Sequence, residues 1–226
     1  MSEVSNQRSA PFWHHEHRGE PRWPVALVVL FVNLLQFALP NNLNIAFPKL
    51  VFGVEATLLV ALMVVNPRHI ASEDKLPRQI SLALVGVMSI ANLSSVAKLI
   101  SALLDGGVTD AKHLLTVGGS IWITNVVVFA LWYWEFDRGG PAARANAKKH
   151  IPDFMFPQMS DPDLSAPHWA ANFFDYLYIS FTNSSAFSPT DVLPLTRWAK
   201  ALMLVQSLTS LVVVALVIAR AVNILH

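Results

Sequence analysis

The chain has 226 residues, of which 54% are hydrophobic and only 14% charged, with 16 Lys+Arg against 15 Asp+Glu and a formal net charge of +1. Soluble domains carry about a quarter charged residues, so a mean hydropathy of +0.45 places this chain in lipid, and its near-zero net charge gives nucleic acid no hold. Cysteine is absent, which excludes disulfides, thiolate metal sites and thiol catalysis together.

Crossing the hydrocarbon core takes about 20 apolar residues, and five segments meet or approach that length: 24–39, 47–65, 80–104, 113–134 and 201–219. Residues 1–23 precede them as a cytoplasmic tail. Arg18, Arg22 and Trp23 before the first apolar run resemble the charged flank of a signal peptide, but no small-x-small cleavage site follows, so the run is expected to be a retained span. The turn PNNLNIA stops one helix and permits the next, making a hairpin of the first two spans. Residues 24–134 thus form a four-helix transmembrane region.

Two long polar connections interrupt the apolar pattern, 66–79 and 135–167. In the second, Gly139, Gly140 and Pro141 end the preceding helix, AARANAKK suits a short interfacial helix, and the proline-spaced IPDFMFPQMSDPDLSAP should run extended. Residues 168–226 then hold an aromatic, partly polar helix over 168–187, the turn SPTDVLPLTRW and the last apolar helix. A short helix, a polar turn at membrane depth and a long helix make the plan of a re-entrant pore loop, which lipid tolerates only where the irregular backbone is buried in protein or lines water. The predicted fold is therefore all-α, a polytopic transmembrane protein with five spans plus a re-entrant or short sixth helix.

The tail DVLPLTRW, Asp191 to Trp198, resembles the segment that follows the selectivity filter in tetrameric potassium channels, and the aromatic helix before it falls where those channels keep their pore helix. The resemblance covers Trp169 to Ala219. Where the family reads T-V-G-Y-G, this chain has Ala186, Phe187, Ser188, Pro189 and Thr190, so the carbonyl ring that selects potassium is not expected from residues without glycine's backbone freedom. Over most of the chain, FALWYWEFDRGGPAARA, PDFMFPQM, DYLYISFTNSSAFSPTD and RAVNIL resemble a group of uncharacterised bacterial integral membrane proteins, and the aromatic helix with its TD turn is similar to the DUF1345 family. That resemblance implies a multi-pass protein of the bacterial inner membrane.

Thr182, Ser184, Ser185, Ser188, Thr190 and Asp191 are candidates to line an ion path, their hydroxyls replacing hydration and Asp191 supplying a ring of charge in an oligomer. The competing reading makes them a helix end and a proline turn. On the last helix Gln206, Ser210, Val213, Val217 and Arg220 recur at helical spacing, either as a pore-facing stripe or as polar contacts between helices. Gly118 and Gly119 suit close helix packing, with Asn125 beside them. Glu55 and Lys98 are ionisable groups inside spans, placed at depths that suit a pair across a hairpin. Alternatively, Lys98 snorkels and Glu55 meets a water-filled crevice. Asp175 suits a brace to a Tyr or Trp behind the loop, or marks an interfacial helix.

His14, His15 and His17 read as a solvated arm rather than a metal site, and no phosphate-binding, metalloprotease or serine-hydrolase motif is present. Neither catalysis nor a cofactor is expected. The basic residues Arg8, Arg18, Arg22, Arg68, Lys75, Arg78, Arg138, Arg144, Lys148 and Lys149 share one side, predicted cytoplasmic, and Trp13, Trp23, Trp132, Tyr133 and Trp134 are expected at its interface. The expected function is an ion channel or ion-conducting pore, weakly selective for cations, in a homo-oligomer that is a tetramer on the channel resemblance. Its partners are the lipid bilayer and inorganic ions. A non-conducting structural or assembly role and a secondary transporter are the alternatives.

Overall fold

The computed structural model describes residues 11–39, 48–65, 75–105, 110–161, 165–185 and 191–225. Its long helices in chain order are α1 (Trp23–Phe37), α2 (Pro48–Val65), α3 (Lys75–Leu104) and α4 (Ala111–Phe136). After α4 come α5 (Pro141–Ala145), β1 (Phe154–Met155), α6 (Pro157–Ser160), α7 (Phe173–Ser185), β2 (Leu193–Pro194) and α8 (Arg197–Leu225). Residues 151–160, expected to run extended, instead alternate a two-residue strand with a single helical turn. The Ala-rich helix of the loop is realised as α5, buried at Arg144 and Ala145 rather than lying on an interface.

Three helices, α3, α4 and α8, are long and apolar enough to cross a membrane. Helices α1 and α2 have 15 and 18 residues. Of the five expected spans, three are therefore met by helices of that kind among the described residues. Asp110 caps α4, its Oδ1 accepting from the backbone N–H groups of Lys112 and His113, which satisfies two of the donors a helix start leaves open.

α4 is the centre of the molecule. It packs against α1, α3, α7 and α8, and 61% of its most apolar window is buried, against 22% for α8, whose outer face is bare. Gly118 makes the α4–α8 approach possible. A Cβ there would stand 2.8 Å from Cγ2 of Val217, whereas one on Gly119 would meet open space.

Buried side chains fall into two apolar clusters separated along the helix axes. One gathers Val25, Val29 and Val32 of α1, Leu62 of α2, Leu84, Val85 and Met88 of α3, the Val127–Trp134 stretch of α4, and Met203 of α8. The other gathers Leu39, Val96, Leu99, Leu103, Leu114, Val117, Ile121, Val213, Val217 and Ala221. Between the clusters each contributing helix buries polar residues: Asn33 and Gln36, Asn92 and Ser95, Thr124 and Asn125, Gln206 and Ser210. A polar layer thus crosses the middle of an otherwise apolar bundle.

The direction of the last helices decides the topology. Phe173, at the start of α7, donates its N–H to Glu20 Oε2, which also accepts from Trp134 Nε1 near the end of α4. α7 then descends along α4, with Ser180 Oγ donating to the Val126 carbonyl at 2.6 Å and Phe181 packing edge-on against Trp122. By β2 the chain is back at the end it left. Leu193 and Pro194 pair antiparallel with Met155 and Phe154, and the Leu195 N–H reaches the Asp153 carbonyl at 2.8 Å. α8 starts there and descends beside α7 in the same direction.

Candidate functional site: the returning segment and its clasp

The contact between α7 and α8 centres on one side chain. Gln206 is fully buried, and its Nε2 donates to Ser180 Oγ at 2.5 Å, to the Ser180 carbonyl at 3.0 Å and to Ser184 Oγ at 2.6 Å. Its Oε1 accepts from Tyr133 Oη at 2.5 Å and from Asn183 Nδ2 at 2.8 Å. Asn183 also donates to the Met203 carbonyl and accepts from Ser207 Oγ. Three helices, α4, α7 and α8, therefore meet on one amide whose donors and acceptor are all engaged, as burial in a weakly polar interior requires.

The other sequence-selected residues fall around this contact. Thr182 is buried and turns its hydroxyl back onto its own helix, to the carbonyls of Tyr178 and Ile179. Ser185 does the same toward Thr182. Ser210 accepts from Asn125 Nδ2 at 3.0 Å, and Asn125 in turn accepts from Asn92 Nδ2 at 3.2 Å. Gln206 and Ser210 therefore sit in helix contacts inside the chain, and the outer face of α8 carries Leu204, Leu208, Leu211 and Ile218 instead. Asp191 is exposed, two residues before β2, at the end where the chain returns. Ser188 and Thr190 lie outside the described residues.

Asp175 is no brace to an aromatic ring. Its Oδ2 accepts from the Asn172 N–H at 2.8 Å while Asn172 Oδ1 accepts from the Phe174 N–H, a reciprocal cap that starts α7. Nor do Glu55 and Lys98 pair. Leu59 and Leu62 of α2 line one small space with Ser81, Leu84 and Val85 of α3, a register that sets Glu55 level with Met88. Lys98 lies ten residues further on, about 15 Å along the axis.

Above the returning segment sits a polar clasp that the sequence reading had assigned to a loop and a solvated tail. Arg144 is buried, its Nη1 donating to the carbonyls of Trp134 (2.6 Å) and Asp137 (3.0 Å) and its Nη2 pairing with Glu20 Oε1 at 3.1 Å. Its guanidinium lies over the Tyr176 ring, and Tyr176 Oη donates to Asp137 Oδ2 at 2.5 Å. Asp137 Oδ1 takes the N–H groups of Asp153 and Phe154. Asp153 accepts from the Arg138 N–H and from Trp198 Nε1.

Arg138 holds a left-handed φ of 54°, a strain of about 1–2 kcal/mol, and its side chain donates to the carbonyls of Lys149 and Trp13. Gly140 turns the chain at φ 100°, where a Cβ would come within 2.9 Å of the Glu135 carbonyl. Residues 11–22 are thereby docked, with the His17 N–H on the Ala145 carbonyl and Trp13, Tyr133 and Trp134 buried. Of the expected interfacial aromatics Trp23 is exposed and Trp132 half-buried.

Burial, opposed by Glu20 and reinforced by Arg144 and Arg138, lowers the His17 pKa below the usual imidazole range. Burial likewise lowers that of His14, helped by His150, Arg138 and His15. No cluster of three or more metal-ligating side chains occurs among the described residues.

The fold and these contacts define a helical protein with three helices able to cross a membrane, organised around a segment that enters and returns at one end. No family model, no curated protein and no solved structure matches the chain.

Proposed function

We propose that the chain is a multi-pass protein of a bacterial inner membrane that conducts ions, with a weak preference for cations, through a pore built from α7, the returning segment and α8 of several copies. The observation that supports this reading is the shared direction of α7 and α8. A 13-residue helix reaches about 20 Å, too short to cross, and the chain is back beside β1 at Leu193.

Backbone that turns inside a membrane needs protein or water around it. One copy supplies α4 and α8 on the inner side of α7, but Phe174, Tyr178 and Phe181 and the outer face of α8 are exposed, so further copies complete the enclosure, four on the potassium-channel resemblance. Asp191 stands at the mouth, and Gln206, Ser184 and Ser210 act as the scaffold that fixes the segment's helix. Lacking a glycine filter, the pore discriminates poorly between potassium and sodium.

The alternative is a non-conducting assembly protein. It draws on the complete use of the Thr182, Ser184, Gln206 and Ser210 polar groups within one chain. Ion flux into liposomes, at matched incorporation of wild type and Asp191→Asn, separates the two. Conduction predicts cation flux that Asp191→Asn lowers, together with its preference over chloride. Absence of wild-type flux under voltage, pH change and stretch would leave the assembly reading.

A further inference from the structure

The mid-bundle polar layer has a satisfied half and an open half. On the α8 side Asn92, Asn125 and Ser210 are joined in a chain of hydrogen bonds. On the α1–α2 side Asn33 Oδ1 and Nδ2, Asn92 Oδ1 and Glu55 Oε1 are buried with no hydrogen-bond partner. These residues are not marginally covered: Asn33 and Glu55 are each 1% exposed and Asn92 5%. Buried polar groups are usually satisfied, and three of the open oxygens of this protein fall on three helices within this layer.

The register brings them together. Asn33 follows Val32 directly, and Asn92 lies one turn beyond Met88, both just past the edge of the first apolar cluster. Glu55 lies two turns before Leu62 on the same inward side of α2. Helical side chains lean toward their own N-terminus. For α2 that direction is toward the polar layer, and for the antiparallel α1 and α3 it is toward the level of Glu55. Among the described residues the basic groups stand off from it: Lys49 is exposed, about 9 Å back along α2, Lys98 is about 15 Å further along the bundle, and Arg22 lies at the far end, bonded to the Leu62 carbonyl.

A bare carboxylate in this position is too costly to persist, and it is neutralised either by a proton or by a bound cation. One carboxylate oxygen with two amide oxygens is a hard donor set that suits a small alkali cation and offers nothing to soft metals. We propose that Glu55, Asn33 and Asn92 form a monovalent-cation site at mid-membrane depth, on which an alkali cation and a proton exchange one for one. The site is independent of the returning segment and of any conduction through it.

The experiment follows the thermal unfolding of the full chain, purified in detergent, in LiCl, NaCl, KCl and choline chloride at one ionic strength between pH 5.5 and 8.5. At least one alkali cation is expected to raise the unfolding temperature saturably over choline. Its half-saturating concentration should rise as the pH falls, and its addition should release protons into a weakly buffered solution. Glu55→Gln should abolish both responses, while Asn33→Ala and Asn92→Ala, each removing one oxygen, should weaken the cation about tenfold. The two alanine variants carry the test if Glu55→Gln does not fold. Equal stability in all four salts, a response to pH alone, an undiminished cation response in Glu55→Gln, or an unchanged half-saturation in both alanine variants would each overturn the site.

Discussion

Gln206 and Arg144 are each a single side chain that several chain segments depend on, and each gives a measurable prediction. Replacing Gln206 by Leu keeps its volume but strands the Tyr133 and Ser184 hydroxyls in an apolar contact and takes one partner each from Asn183 and Ser180. Leaving buried polar groups unmet costs about 1–3 kcal/mol each before relaxation, so Gln206→Leu should lose roughly 2–4 kcal/mol in denaturant unfolding, and Gln206→Glu should not restore it. Arg144→Met leaves Glu20 a half-buried charge held only by Trp134 Nε1 and the Phe173 N–H, and should cost less than the roughly 3–5 kcal/mol of a fully buried broken pair.

The histidines give a pH prediction. Glu20, Arg144 and Arg138 act on His17, and His150, Arg138 and His15 on His14, and burial sets both imidazoles below their unfolded value. The unfolded arm then binds more protons, so its docking is complete above about pH 6.5 and weakens as the pH falls toward the folded pKa values. Limited proteolysis at Arg18 should accelerate between pH 7.5 and 5.5. In His17→Gln that acceleration should shrink, and a profile identical to wild type would assign the effect elsewhere.

Among the elements, α4 and α8 make the decisive contact, and Gly118 sets its distance. Gly118→Leu must push Val217 aside, so it should separate the helices, weaken the Asn125–Ser210 bond and lower the unfolding temperature, whereas Gly119→Leu, facing open space, should be near neutral. Melting the two variants side by side checks this. Such contacts mark the limit of what could be read beforehand.

The apolar stretches that became α1 to α4 and α8 were legible because lipid demands length and hydropathy, and those are local properties. The periodic stripe on α8 was legible too, but which neighbour it met was not, since a buried amide and a pore-facing amide have the same spacing. The clasp was hidden for another reason. Glu20, Arg144 and Tyr176 are far apart in sequence, and charged residues flanking spans read as solvated unless the partner is known. The one local hint was Asp137 and Arg138 standing directly after an apolar helix, followed by two glycines. Asn33 and Asn92, single amides inside apolar runs, carried a signal of the same kind.

For the whole molecule, the clasp gathers at one end the docked arm 11–22, the start of α1, the ends of α2 and α4, the start of α3, and the point where the returning segment enters and leaves. α8 alone runs from that end to the other after α7. The described basic residues of the arm, of the start of α3 and of the loop after α4 therefore gather at one end, which the positive-inside rule predicts to be cytoplasmic if the bundle spans a membrane as proposed. On the proposed reading the returning segment is predicted to enter from the cytoplasm, opposite to its sense in potassium channels, with the two ends of the chain on opposite sides of the membrane.

Tags at Met1 and His226, probed in intact and permeabilised cells, should be protected and accessible respectively in intact spheroplasts. Both tags on one side would mean that 168–187 crosses completely and that the shared direction of α7 and α8 is not kept in the bilayer. An outward Met1 with an inward His226 would keep the returning topology but reverse the charge rule, placing the clasp and Asp191 on the outer face. Only the expected pairing puts Asp191 on the cytoplasmic side, so block of flux by an impermeant polyvalent cation added inside but not outside should accompany it, and Asp191→Asn should relieve that block. Block from the outside instead would break the link between the topology and the mouth of the pore.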